Sequence, residues 1–370
     1  MSAPSVTGRT FEGVFRTDGS VGVRDNVLVL PSVICSHIVA DRIAARVDRA
    51  VSTPHDHGCA QLGADNEQTR RTFLSLAENP NVAGTLVVGL GCEEVQSDDV
   101  ANALRSRDVP VRELSIQGVG GTDECVERGV EAASELAEPR SEAHSDASIG
   151  DLTLGIVSSD LDTATVDVGD PLVGDVARAV VAAGGRVVVA GNERVLAHPE
   201  AARDATAYEA RDSLDELLAR HEGDPPRATR VGRFAQKRSF EAVTRSWGER
   251  DVSEVLAYGE RASISEGLAL VDAPSRFAEA TTALAAAGAN VVVHVTGDGI
   301  LAGHPLVPVV KVTGDPGTAA ALPDDIDVAA ANADADDLLE KLVAVANGDP
   351  CCAERHGLTE FAITRVGPSM

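Results

Sequence analysis

Ala83-Gly84-Thr85-Leu86-Val87-Val88-Gly89-Leu90-Gly91-Cys92-Glu93-Glu94 is an apolar run that ends in a glycine-flanked cysteine and two acids. The run is too short for a buried helix and carries valines, so it predicts a parallel strand buried on both faces. Gly91, Cys92 and Glu93 then fall at its carboxyl end, where open α/β sheets place their sites. A second loop has the same grammar. Ala50-Val51-Ser52-Thr53 reads as a short strand, and it delivers Pro54-His55-Asp56-His57-Gly58-Cys59-Ala60-Gln61. Imidazole, thiolate and carboxylate together suit a divalent metal such as iron(II) or zinc, with His55, Cys59 and Cys92 as candidate ligands. The same groups, His55, Cys59, Cys92 and Glu93, suit acid–base removal of a proton beside a carboxylate. The alternative is two buried thiols beneath a loop that His55 caps.

Working outward, strands alternate with helices. Strands are expected at 26–31, 50–53, 85–88 and 111–116, with helices at 36–47, 66–78, 98–106 and 122–137. The stretch 138–150 (EPRSEAHSDASIG) is polar and broken, and reads as a linker. The grammar then resumes, with strands at 152–157, 185–191, 268–274 and 290–295 and helices at 171–183, 277–287 and 338–346; residues 198–250 read as helical and charged. The expected fold is α/β with two domains, 1–138 and 151–370, joined by the linker 139–150. Each is a mostly parallel sheet flanked by helices.

The chain has 370 residues, 44 % hydrophobic, with a net charge of −26. Acids are spread through the helix-like segments, lysine occurs only at Lys237, Lys311 and Lys341, and aromatics make up 3 %. Such a surface suits a soluble enzyme of salt-rich surroundings, where the screening length falls to roughly 3 Å at 1 M salt. No basic face exists to meet nucleic acid. No apolar run reaches the roughly 18 residues of a membrane span, and no signal pattern opens the chain, so the cytoplasm is the expected compartment. The six cysteines do not form a disulfide framework. Cys35 and Cys125 read as small buried thiols.

Two further segments carry cations. Arg16-Thr17-Asp18-Gly19-Ser20-Val21-Gly22-Val23-Arg24-Asp25-Asn26 reads first as a turn with an internal salt bridge; alternatively Arg16 and Arg24 grip a substrate carboxylate. The glycine-rich stretch 296–303 precedes an apolar run containing Lys311, either a snorkelling edge residue or a buried cation facing the site.

These segments, in this order, resemble the altronate/galactarate dehydratase family, whose relatives include a sulfolactate sulfo-lyase subunit. The opening from Arg16 to Asn26 resembles R-x-D-G-x-V-G-x-R-N, and Pro31-Ser32-Val33-Ile34-Cys35 resembles P-S/T-V-x-C. His55-Asp56-His57-Gly58-Cys59 fits H-x-x-G-C, and Asn79-Pro80-Asn81-Val82 through Gly91-Cys92-Glu93 fits N-P-N-V … G-L-G-C-E. Tyr258-Gly259-Glu260, Asp272-Ala273-Pro274, and Thr296-Gly297 through Lys311-Val312-Thr313-Gly314 continue the match.

The resemblance implies dehydration of a small hydroxylated carboxylate, a sugar acid, to a 2-keto-3-deoxy acid. It implies a divalent metal, usually iron(II), and an oligomeric enzyme. It also implies a small β-rich domain before the R-x-D-G motif, expected here as a separate subunit. Ser158 stands where the family carries a cysteine, Asp298 where it carries an arginine, and P-G-N-K-x-G-G is not recognisable between residues 232 and 240. A non-catalytic or regulatory relative, or a lyase that releases sulfite, is therefore the alternative reading.

Overall fold

The computed structural model describes residues 6, 8–138, 144–223, 229–248 and 251–367. Two parallel sheets organise it. In the first domain β3 (Asn26–Pro31), β4 (Ala50–Ser52), β5 (Val82–Gly89) and β6 (Val111–Ser115) form a four-stranded sheet in the order β4-β3-β5-β6. All three pairings are parallel, as the continuous apolar runs predict. Helices α1 (His37–Ala44), α2 (Ala64–Ala77) and α3 (Ser97–Arg105) supply crossovers. Because β3 lies between β4 and β5, the loops after all three strands open side by side.

The larger sheet has seven parallel strands. They are β8 (Thr153–Ser158), β9 (Arg186–Val189), β10 (Val252–Leu256), β11 (Gly267–Val271), β12 (Val291–Val295), β13 (Val309–Thr313) and β14 (Val328–Ala329). The order is β10-β11-β9-β8-β12-β13-β14, so the chain winds outward one way from β8 and then returns to its other side. The topological switch point falls between β8 and β12. Strands β10, β13 and β14 were not expected. The short β10, with Ser253 and Glu254 inside it, lies next to a helical, charged region, and β13 is interrupted by Lys311.

Alternation along the strands divides the core. In β8, Leu154 and Ile156 face the helices Asp170–Ala182 and Ala335–Ala346, while Val157 faces the other way. That second face shares one continuous core with the first domain. Leu28, Leu30 and Val87 meet Phe73, Leu74 and Leu76 of α2, and these meet Ala280, Ala283 and Leu284 of the helix Phe277–Ala286. The two sheets thus enclose a common helical layer.

A polar pin crosses this layer. Asn79 donates to Ala285 O (2.7 Å) and Ala289 O (2.9 Å), and Asn81 donates to Asn290 O (2.9 Å) and Leu306 O (3.2 Å). Asn81 also accepts from the backbone N–H groups of Val23 and Arg24. The N-P-N-V motif therefore fastens the two domains together, because every polar group buried there needs a partner.

The expected linker is in part structured. His144–Ser148 is strand β7, antiparallel to β1 (Thr10–Phe15), and β2 (Val21–Gly22) completes a three-stranded sheet. Ala147 and Phe11 from this sheet join the larger domain's core. An edge strand buries one residue in two at most, so its polar sequence looked like a linker. Residues 139–143 of the expected linker lie outside the described residues.

Candidate functional site

At the carboxyl end of the smaller sheet the two loops singled out in the sequence do meet. Gly58 O accepts from Glu94 N at 3.1 Å, and Ile34 N donates to His57 O at 2.9 Å. Gly58 has φ +89° and a Cβ there would strike Ser32 O, while Gly91 has φ +113° beside Gln117. Both glycines are required by these conformations. Glu93 lies at the switch point between β3 and β5. Its Oε1 accepts from Ser32 Oγ (2.8 Å), and its Oε2 accepts from the N–H groups of Gly91 (2.6 Å) and Cys92 (2.8 Å). Burial alone would raise its pKa, but these hydrogen bonds outweigh it and hold the carboxyl below its ordinary value.

The histidines are turned inward. His55 Nε2 donates to Pro31 O (2.6 Å) and Nδ1 accepts from His57 N (3.1 Å). His57 Nε2 donates to Ile363 O (3.0 Å), and its Nδ1 accepts from Gln61 Nε2 (2.6 Å). Burial holds the pKa of His55 down to about 4, so its ring stays neutral. Neither ring keeps a lone pair for an ion, and the Glu93 oxygens are engaged. Among the described residues no group of three or more His, Cys, Asp or Glu side chains is arranged to hold a metal ion. In this arrangement His55, Cys59 and Cys92 do not fit the divalent ion that the resemblance implies, and no step below runs through one. Cys59 and Cys92 are exposed on adjacent loops. Cys35, expected to be buried, is exposed as well, because the short helical turn after β3 (Ile34–Ser36) turns only Ser36 inward; Cys125 is buried as expected.

The three candidate substrate cations are engaged by groups of the fold itself. Arg16 donates to Pro80 O and pairs with Asp25 at 3.0 Å, the turn-like reading. Arg24 pairs with Glu354 at 2.9 Å and donates to Val345 O, tying the first domain to the carboxyl-terminal region. Lys311 is fully buried in β13, which rules out the snorkelling edge residue of its two readings. Asp298, in the place of a family arginine, pairs with Arg230, which also binds Asp162. Ser158 donates to the buried Asp170 at 2.7 Å.

A different set of residues lines a cleft, a cavity of about 640 Å³. It lies over the carboxyl ends of β9, β10 and β11, between α2 and the segment 364–366. Its cations are Arg71, Arg220, Arg276 and Arg365. Arg71 is fixed by two hydrogen bonds to Tyr258 O, at 2.9 and 2.7 Å. On the wall Asp272 accepts from His221 Nε2 (2.8 Å) and Asn192 Nδ2 (2.8 Å), and pairs with Arg220. Burial opposes the charge of Asp272, but His221, Asn192 and Arg220 together keep its pKa below the usual value. This is a carboxylate that orients an imidazole. The segment 364–366 also reaches the first domain, since Asp65 of α2 accepts from Val366 N and Arg365 pairs with Asp56. Asp272 could be read in the sequence as an acid just past an apolar strand; His221, in a charged helical stretch, gave no signal.

Two doubly wound parallel sheets with an arginine-lined cleft of small-molecule size define an α/β protein. Similarity to known proteins narrows the class. Residues 13–141 match the family model described as D-galactarate dehydratase/Altronate hydrolase, second domain. Residues 235–369 match that described as D-galactarate/Altronate dehydratase, C-terminal. The chain is 29 % identical to the altronate dehydratase of Bacillus subtilis, over 98 % of this chain and 79 % of that one. It is 28 % identical to the altronate dehydratase of Escherichia coli, over 96 % and 77 % respectively. It is also 28 % identical to the (2R)-sulfolactate sulfo-lyase subunit beta of Chromohalobacter salexigens, over 97 % and 98 %. The chain belongs to the D-galactarate/altronate dehydratase family, and these relatives are lyases.

Proposed function

We propose that this protein is a hydro-lyase that dehydrates a sugar acid of the altronate or galactarate type to a 2-keto-3-deoxy acid. The observation that carries the reading is the cleft that places four arginines beside the Asp272–His221 pair. Arg71, its guanidinium held by Tyr258 O, grips the substrate carboxylate with Arg220 and Arg276 around it. The positive charge stabilises the enediolate that forms when the proton beside the carboxylate leaves. His221, oriented by Asp272, takes that proton; the electron pair forms the carbon–carbon double bond and the 3-hydroxyl departs. The enol so formed tautomerises to the keto acid.

A second reading is favoured by coverage. The sulfolactate sulfo-lyase subunit aligns over 98 % of its own length, the altronate dehydratases over 79 % and 77 %. In that reading the same cleft removes the same proton and sulfite is the leaving group, with this chain working beside a smaller subunit. Incubating the chain with a panel of sugar acids and with sulfolactate, and following loss of water or sulfite by mass spectrometry, tests both. Loss of water from a sugar acid supports the first, release of sulfite the second, and neither product would overturn both.

A further inference from the structure

The larger sheet encloses a second chain of hydrogen bonds, distinct from the Asp272–His221 pair. β12 and β13 run side by side with His294 opposite Lys311, and both side chains are fully buried. Lys311 Nζ donates to Ala302 O, lies 3.3 Å from His294 Nδ1, and sits 4.5 Å from the centroid of Phe277. His294 Nε2 is 2.9 Å from Ser159 Oγ. Ser159 directly follows β8, and its N–H donates to Val295 O at the end of β12. The chain Lys311–His294–Ser159 thus surfaces at the switch point, where an open α/β sheet places its ligand. The neighbouring loop, after β9, supplies Asn192 and Glu193 to the cleft.

Its polarity follows from donor counting. An ammonium group has three N–H donors and no lone pair, so His294 Nδ1 must accept from Lys311. The single ring proton of neutral His294 is then on Nε2 and is donated to Ser159 Oγ. The hydroxyl proton of Ser159 is then not shared with the histidine, and the half-buried Ser159 is the outermost group of the chain. Burial, with the Lys311 charge adding to it, holds the pKa of His294 well below its ordinary value, so the ring is neutral. Burial draws Lys311 down to about 8, against the raising influence of Cys351, Asp327, Glu360 and Cys352. Of these, Asp327 also pairs with Lys341 and accepts from the backbone N–H of Lys311.

We propose that Lys311, His294 and Ser159 form a proton relay that supplies the acid for the elimination. Ser159 is the group that meets the leaving oxygen; His294 and Lys311 are positioning residues that act through it. The inference rests on the lyase reading given above. As the carbon–oxygen bond breaks and its electron pair stays on oxygen, the Ser159 proton passes to that oxygen and water departs. The Nε2 proton of His294 moves to Ser159, and a Lys311 proton moves to Nδ1. This leaves a neutral amine and the opposite imidazole tautomer, and uptake of one proton from solvent restores the start.

Two measurements on the full chain decide it. In protein labelled with ¹⁵N-histidine, NMR should show His294 as the Nε2–H tautomer at neutral pH, with the Nδ1–H form appearing as pH rises through about 8. Lys311→Met should abolish that pH dependence. In turnover, Ser159→Ala should lower kcat by roughly 10²–10⁴ with KM little changed, while Ser159→Thr keeps most activity. The double variant Lys311→Met/Ser159→Ala should fall no further than Ser159→Ala alone, because both act in one chain. An Nδ1–H tautomer at neutral pH, or an unchanged kcat in Ser159→Ala, would overturn the relay. A wild type that eliminates nothing would remove the lyase reading and the acid role together, while the tautomer result would still decide whether the three groups are coupled.

Discussion

His55 shows how burial fixes the role of a residue whose type suggests another. Its ring is closed in by Pro31 O and the His57 N–H, and burial lowers its pKa from 6.5 to about 4. The sign of the consequence follows directly. The unfolded chain takes up a proton below about 6.5 and the folded chain does not until about 4, so folding weakens as pH falls through that window. His55 alone removes on the order of 3 kcal/mol by its lower end. His55→Asn, which can still accept from the His57 N–H, should give a shallower loss of melting temperature between pH 6.5 and 4 than the wild type. An equally steep acid limb would show that the buried imidazole is not the group responsible. The glycines of this site were legible in the sequence, because a tight turn before a cysteine at a strand end demands Gly58 and Gly91. The Asp272–His221 pair was not, since 51 residues separate its members and only the topology joins them.

At the scale of elements, the parallel strands were legible because burial on both faces leaves unbroken apolar runs. Strands that interrupt that pattern were hidden: β13 by Lys311, β7 by its polar edge, β10 by Ser253 and Glu254. The N-P-N-V segment was visible as a motif, but its work was not, because the partners of its asparagines lie more than 200 residues on. Removing Asn81 leaves the Val23 and Arg24 N–H groups and the Asn290 and Leu306 carbonyls in a buried seam without that partner. Asn81→Ala should destabilise the chain by about 3 kcal/mol, read as a lower denaturant midpoint. It should also loosen the cleft, whose walls come from both domains. A midpoint unchanged from wild type would mean that the seam does not hold the domains together.

For the whole molecule, charge and chemistry meet. A net −26 on one chain repels itself when unscreened, and under the proposed function a small anionic substrate crosses that field to reach the cleft. We expect the melting temperature to rise between dilute buffer and molar salt; an unchanged value would remove the reading of the acidic surface as an adaptation to salt. The arginines of the cleft are the local exception to that acidity, and the central claim rests on them. The most direct measurement is steady-state elimination, by mass spectrometry, in the wild type, Arg71→Met and His221→Gln with a sugar acid. Arg71→Met should raise KM for the carboxylate, and His221→Gln should lower kcat by roughly 10²–10⁴ with the fold intact. Wild-type kinetics in both variants would contradict the account, because the chemistry would then lie outside this cleft.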